Sequence, residues 1–261
     1  MRARRARRFD SVAQKSWQLR YALFDLDNTL YPKNSGVMEA VSRRISTFMA
    51  TRLGMEEATI NELRPRYWKQ YGTTMRGLLV EYGIDPDEYL WYVHDFAMTD
   101  YLGENQELDR ALAEMPWRKV IFTNASRQHA LNALAAMGIR QHFQMVFDIK
   151  DTAYIGKPDI RAYQQVLNTL EAAAQECIII EDSAVNLRPA KELGMITVLV
   201  GQEGAVDGAD FAIGRIEDVA RAAGYLTTNG HESWDAQPRV MNRTGSKAMP
   251  VSREEGLGGQ E

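Results

Sequence analysis

Tyr21-Ala22-Leu23-Phe24-Asp25-Leu26-Asp27-Asn28-Thr29-Leu30-Tyr31 is the stretch whose reading decides the fold. An apolar run feeds straight into two carboxylates separated by one leucine. A short buried strand ending this way throws acidic groups off its carboxyl end, which is where open α/β sheets bind their ligands. Alternation along a strand would send Asp25 and Asp27 to opposite faces. Both therefore serve one site if the chain already turns there and Asp27 contributes its side chain or its backbone carbonyl from a loop. Hard oxygen ligands of this kind suit magnesium. The same residues also read as a helix cap or an Asx turn ahead of Tyr31-Pro32, and on their own they support either account.

Beyond Pro32 the periodicity turns helical. Val37, Val41, Ile45 and Phe48 share one face, and Gly54 is a stop signal after Leu53. Further helical stretches are expected over 56–71 with an interruption at Pro65, then over 73–82, 86–99 and 104–115. Aromatic residues are dense here, at spacings that fit the interior of a small bundle, and one or two could instead stack on a planar ligand. At Arg118 the character changes. Short apolar strands are expected over 119–122, 144–147, 177–180, 196–200 and 211–213, with helices over 127–137, 157–174 and 188–193 between them. Strands alternating with helices of this length imply right-handed βαβ units and a parallel, Rossmann-like sheet. The predicted organisation is an α/β core over 18–33 and 116–226, an inserted helical-bundle cap over 34–115, a basic start over 1–17 expected to be disordered, and a disordered polar tail over 227–261.

Composition narrows the function classes. In a chain of 261 residues, 45% are hydrophobic and 25% charged, and the net charge of −4 gives no pull toward a nucleic-acid polymer. The single cysteine, Cys177, lies in an apolar run, so no internal disulfide forms and a buried thiol in a reducing compartment is expected. No apolar stretch is long enough for a membrane span, and the arginine-rich start is not followed by the apolar segment of a secretory signal. The expected location is the cytoplasm.

Three predicted strand ends carry polar groups: Asp25 and Asp27, Thr123 and Asn124, and Glu181 and Asp182. Lys157 falls at a helix start between the last two. Phosphoryl transfer needs such a set, with a metal and a cation to neutralise charge, donors to hold the oxygens, and a nucleophile in line with the leaving group. Taken singly, each piece has an ordinary reading as a cap or a surface lysine. Taken together, those readings leave unexplained why every polar group falls at a strand end or the helix start after it.

Asp25-Leu26-Asp27-Asn28-Thr29, Thr123-Asn124, Lys157-Pro158 and Glu181-Asp182-Ser183 resemble, in order, the four motifs of the haloacid dehalogenase superfamily of phosphatases. Phe24 to Pro32, Tyr71 to Leu78, Ile121 to Ala125 and Glu181 to Leu187 resemble its pyrimidine 5′-nucleotidase branch. The resemblance covers about 21–200. It implies Asp25 as nucleophile and magnesium ligand, Asp27 as general acid/base whose backbone carbonyl also binds magnesium, and Asp182 as the remaining metal ligand. It further implies Thr123 and the Asn124 amide as phosphoryl holders, Lys157 as the partner of both phosphoryl group and Asp25, Thr29 as the residue positioning Asp27, and Glu181 or Asn186 acting from behind or through metal-bound water. In the cap, Arg76 is a candidate for substrate contact. His94 reads equally as a packed histidine or a ligand contact.

The implied activity is magnesium-dependent hydrolysis of a small phosphomonoester, UMP or CMP by resemblance. Another small phosphomonoester, such as a sugar phosphate or pyridoxal phosphate, is the alternative substrate. A binding protein that keeps the fold without turnover is a separate class, disfavoured because no acid, lysine or hydroxyl of the set is missing.

Overall fold

The computed structural model describes residues 18–202, 208–228 and 239–240. The strands β1 (Tyr21–Phe24), β2 (Arg118–Phe122), β3 (Phe143–Phe147), β4 (Cys177–Glu181), β5 (Ile196–Val200), β6 (Phe211–Ile213) and β7 (Arg239–Val240) form one sheet in the order β3-β2-β1-β4-β5-β6-β7. Every pairing is parallel. Both faces are covered by helices, so strand residues on both faces are apolar and the strands read as continuous hydrophobic runs.

Alternation distributes the strands between two cores. Phe24, Ile121, Ile178, Ile180 and Val198 point to one face. Leu23, Val120, Phe122, Ile179 and Leu199 point to the other, with the buried free thiol of Cys177. The first face is covered by α5 (Gln106–Glu114), α6 (Arg127–Ala136) and α9 (Val219–Thr228), and the second by α7 (Ile160–Leu170) and α8 (Ala184–Leu193). The direction of strand order reverses between β1 and β4, and the crevice at that switch point is where the site lies.

A third apolar cluster belongs to α1 (Val37–Leu53), α2 (Glu57–Tyr71), α3 (Thr74–Tyr82) and α4 (Pro86–His94). Phe48, Leu63, Tyr67, Leu78 and Leu90 fill it, and Ile149 reaches into it from the loop after β3. Of the aromatic residues expected to be core here, Tyr67 and Tyr89 are buried, Tyr71 and Tyr92 pack partly buried against this cluster, and Phe96 and Tyr101 pack partly buried against the cluster under the sheet, whereas Trp68, Tyr82 and Trp91 are exposed. Thr73 caps α3 by accepting from the Arg76 amide (3.1 Å), and Asp85 caps α4 from the Asp87 amide (2.9 Å) with Pro86 at the first helical position.

Four features differ from the sequence expectations. Helix α2 runs unbroken through Pro65, since burial of Ile60, Leu63 and Tyr67 outweighs the roughly 3 kcal/mol that an interior proline costs. Helix α8 starts at Ala184, earlier than expected, and contains Pro189. The block of 34–115 is divided by its packing: Leu108, Ala111 and Leu112 of α5 join the core cluster beneath the sheet and not the cluster of α1 to α4. Within the tail expected to be disordered, α9 extends through Thr228, and β7 pairs with β6. The expectations for 1–17, 229–238 and 241–261 lie outside the described residues.

Gly77 marks the tightest helix contact in the cap. A β-carbon there would lie 2.2 Å from Cγ of the fully buried Tyr67 ring. Gly77→Ala should destabilise the protein by about 1–3 kcal/mol through overpacking, against a propensity gain of about 1 kcal/mol. Urea unfolding of the variant checks this; an unchanged or raised midpoint would show that α2 and α3 separate without cost.

Candidate active site

Parallel register brings the strand ends level. Phe24 lies opposite Ile121 on one side and Ile180 on the other, so the next residues, Asp25 and Glu181, meet across the β1/β4 crevice. The Asp25 amide donates to the Ile180 carbonyl (2.9 Å), carrying the ladder one step past the strand.

Between these carboxylates sits the buried Lys157 ammonium. It donates to Asp25 Oδ1 at 2.7 Å and to Glu181 Oε2 at 2.6 Å. One cation cannot fully neutralise two buried acids. Burial pushes the Asp25 carboxyl above its usual range against the pull of Lys157. Glu181 is pushed to about 8 by burial and the charge of Asp25, with Lys157 opposing. Burial works against the lysine's charge, but the two carboxylates overcome it and hold its pKa above the ordinary value.

The lysine is aimed by its backbone. The Asn124 side chain brackets the Lys157 peptide groups, accepting from the amide at 2.8 Å and donating to the carbonyl at 2.9 Å. A β-carbon at Gly156 would lie 2.7 Å from Asn124 Oδ1, so this clamp requires glycine there. Thr123 Oγ1 accepts from the Ala125 amide (3.0 Å), holding the turn that follows β2.

The turn after β1 differs from expectation in one contact. Asn28 takes a φ of 63°, and Thr29 Oγ1 donates to Asp25 Oδ2 at 2.8 Å, so Thr29 orients Asp25 and not Asp27. Asp27 is held elsewhere. Its Oδ1 accepts from the Tyr31 hydroxyl and lies 2.8 Å from His129 Nε2. Burial raises its carboxyl, but the His129 charge and the hydrogen bonds from His129 and Tyr31 prevail and bring it down to about 2.

Among the described residues, Asp25, Glu181 and Asp182 form a carboxylate group whose oxygens lie within 4.8 Å of one another. All are hard oxygen donors on one strand-end crevice, which fits a small divalent cation. The Asp27 carboxylate is outside this group and Glu181 is inside it. Asp182 also accepts an ion pair from Lys33 at 3.1 Å.

A cavity of about 950 Å³ lies between core and cap, lined by Lys157, Asn124, Asp182 and Asn186 on one side and Trp68, Tyr71 and Arg76 on the other. The α2/α3 turn seats directly on the lysine loop. A β-carbon at Gly72, where φ is 83°, would lie 3.4 Å from the Lys157 carbonyl oxygen. Asn186 also accepts the Tyr163 hydroxyl on its backbone carbonyl.

Sequence reading missed His129 and assigned no role to Tyr31 or Lys33. His129 follows Ser126, the N-cap of α6, by three residues, and a first-turn residue after a polar strand end is the signal that could have found it. His94 is the packed alternative: its Nδ1 lies 3.0 Å from Ser126 Oγ, and burial, then the nearby His129, depress it to about 3. His129 Nδ1 is buried with no partner, a condition that costs about 1–3 kcal/mol.

The arrangement is that of an α/β enzyme working at the carboxyl edge of its sheet beneath a helical cap. A family model described as haloacid dehalogenase-like hydrolase matches residues 19–194. The chain belongs to the haloacid dehalogenase-like hydrolases.

Phosphate metabolism protein 8 of Saccharomyces cerevisiae is 27% identical over 187 residues, covering 66% of this chain and 58% of that protein. The match thus spans little more than half the yeast relative's length. Pyrophosphatase PpaX of Halalkalibacterium halodurans is 23% identical over 194 residues, covering 74% of this chain and 88% of that one. Among solved structures, the L-2-haloacid dehalogenase of Xanthobacter autotrophicus superposes with a TM-score of 0.54 at 15% identity, covering 82% of this chain and 100% of that chain. The putative HAD-hydrolase YfnB of Bacillus subtilis, bound to magnesium, superposes with a TM-score of 0.55 at 17% identity, covering 79% and 99%. These two likenesses show the fold. No helix among the described residues is long and apolar enough to cross a membrane.

Lys157→Met leaves two buried carboxylates without their cation. The expected loss is about 3–5 kcal/mol in unfolding free energy, read by urea denaturation at neutral pH. A loss below about 1 kcal/mol would mean that the pair is solvated and not a buried bridge.

Proposed function

We propose that the chain is a magnesium-dependent phosphomonoester hydrolase that forms an aspartyl-phosphate on Asp25, with a pyrimidine nucleoside 5′-monophosphate as substrate. The observation that carries the chemistry is Asp25 itself: its two oxygens are oriented by Thr29 and Lys157, and Lys157 and the neighbouring Asp182 line the cavity between core and cap. Relatives named for phosphate metabolism and for pyrophosphatase activity support phosphoryl chemistry. The nucleotide reading rests on the resemblance of the motifs and on Trp68, Tyr71 and Arg76 lining the cap side of the cavity.

In the first step an Asp25 carboxylate oxygen attacks phosphorus, a new P–O bond forms, and the bond to the leaving oxygen breaks. Asp27 in its acid form gives that oxygen a proton and becomes a carboxylate. In the second step Asp27 takes a proton from water as the water oxygen attacks the aspartyl-phosphate. The bond from phosphorus to Asp25 breaks, which restores both acids and releases phosphate. Lys157 neutralises Asp25 and the transferring group, and Thr123 with the Asn124 amide holds phosphoryl oxygens. Asp25 and Asp182, with the Asp27 carbonyl, would hold magnesium, and Glu181 would act from behind. When bound, the ion supplies positive charge against the phosphoryl oxygens. The cap excludes bulk water and sets leaving-group preference.

Phosphate release from UMP, CMP, purine nucleotides, sugar phosphates, pyridoxal phosphate and pyrophosphate, with magnesium and again with EDTA, tests this reading. The expected outcome is metal-dependent release with UMP and CMP preferred, and a loss of about 10³-fold or more in Asp25→Asn. Preference for another phosphate would replace the substrate assignment; an active Asp25→Asn would overturn the mechanism.

A further inference from the structure

His129 is buried to 1% exposure, yet it is far from an ideal core residue. Its Nδ1 has no partner, while its Nε2 is aimed at Asp27 Oδ1 at 2.8 Å. A leucine would fill the same space without stranding a polar atom. The ring is held on both sides. Its own amide donates to Ser126 Oγ at 3.3 Å, which fixes the first turn of α6. From the cap, His94 at the end of α4 lies with its ring centroid 4.2 Å away, and Phe96 in the bend just after α4 lies at 6.2 Å. His94 is tied to the same Ser126 hydroxyl at 3.0 Å.

We propose that His129 is a positioning residue for Asp27: its Nε2–H, with the Tyr31 hydroxyl, pins Oδ1 and leaves Oδ2 as the oxygen that exchanges the proton. The inference rests on Asp27 being the general acid/base of the proposed hydrolase. Its contact with the proposed acid/base is to Asp27 Oδ1, so its effect on the reaction runs through Asp27. Because His94 and Phe96 press on the imidazole from the cap, the orientation of Asp27 is mechanically joined to how the end of α4 seats on α6.

Leaving-group dependence separates this role from packing. p-Nitrophenolate departs from phosphorus without needing a proton, whereas the alkoxide of an alkyl phosphate such as UMP or glycerol phosphate needs one. kcat/KM reports the steps through formation of the aspartyl-phosphate, the step in which the leaving group departs. The experiment measures kcat/KM of the wild type, His129→Leu, His129→Gln and Asp27→Asn on p-nitrophenyl phosphate and on an alkyl monoester that the wild type hydrolyses.

Loss of a positioned acid is worth about 10²-fold or more. His129→Leu should therefore fall by about 100-fold on the alkyl ester and by less than about fivefold on the nitrophenyl ester. His129→Gln, which keeps a side-chain N–H toward Asp27, should regain about tenfold of that loss. Asp27→Asn should separate the two esters in the same sense. Equal losses on both esters in His129→Leu, or no rescue by glutamine, would overturn the proposal and make His129 a packing residue. If Asp27→Asn itself fails to separate the esters, the acid/base assignment falls and the proposal with it. A wild type that hydrolyses neither ester overturns the phosphatase reading, on which both stand.

Discussion

The contact on which the rest of the site depends is one ammonium shared by two carboxylates. Parallel pairing at equal register forces Asp25 and Glu181 to the same level on adjacent strands, inside a sheet covered on both faces. Two ionised acids cannot be buried there together without a cation. Lys157, from a loop remote in sequence, supplies it at 2.6 and 2.7 Å. The need for that lysine propagates outward. Its backbone must be gripped, which Asn124 does with both ends of its amide, and the grip requires Gly156. Strand ends β1, β2 and β4 and the loop before α7 thus form one electrostatic unit.

The cap is built onto that unit. The α2/α3 turn, where the positive φ of Gly72 favours glycine, packs beside the Lys157 carbonyl, and Ile149 from the core loop is buried among the cap's apolar residues. On the far side, Tyr154 donates to Asp87 at 2.8 Å, and Lys150 pairs with the same carboxylate at 2.7 Å. The cavity roof is consequently set against the lysine loop by apolar burial and close backbone approach. The exposed ion pairs contribute little to this seating.

Much of this was legible in the sequence because a parallel sheet writes its strands as short apolar runs and places its chemistry at their carboxyl ends. Asp25, Thr123, Glu181, Asp182 and Lys157 all fell at such punctuation, and the structure gathers Asp25, Glu181, Asp182 and Lys157 at one crevice. What was not legible depends on turn geometry or on distant pairing. Which carboxylate Thr29 serves is decided by the positive φ at Asn28, a detail no residue pattern encodes. His129 meets Asp27 across 102 positions of sequence, on a helix whose apolar face reads as core. The side that α5 takes could not be read either, since an amphipathic helix declares that it buries a face but not against what. Helix α2 passes through Pro65 because tertiary burial outweighs propensity, and β7 is too short to carry a period of its own.

The two aspartates of the opening motif end in opposite environments, and the proposed reaction uses that difference. Asp25 is oriented by a hydroxyl and a cation and pushed upward by burial, with Lys157 restraining the rise. Asp27 is surrounded by donors and held at about 2. A carboxyl held that low gives up a proton readily but seldom carries one. An incoming phosphate dianion changes the balance, because a like charge nearby favours the protonated form of Asp27. The donors that depress it and a phosphate that would raise it oppose each other, so the proposed reaction draws on the acid form against the pull of Tyr31 and His129. After the leaving group has departed with the proton, Tyr31 and His129 again favour the carboxylate, which is the form that accepts a proton from water. In the proposed reaction, separation of the two environments on one turn, and not the identity of the two acids, lets Asp-x-Asp support a nucleophile and an acid/base two residues apart.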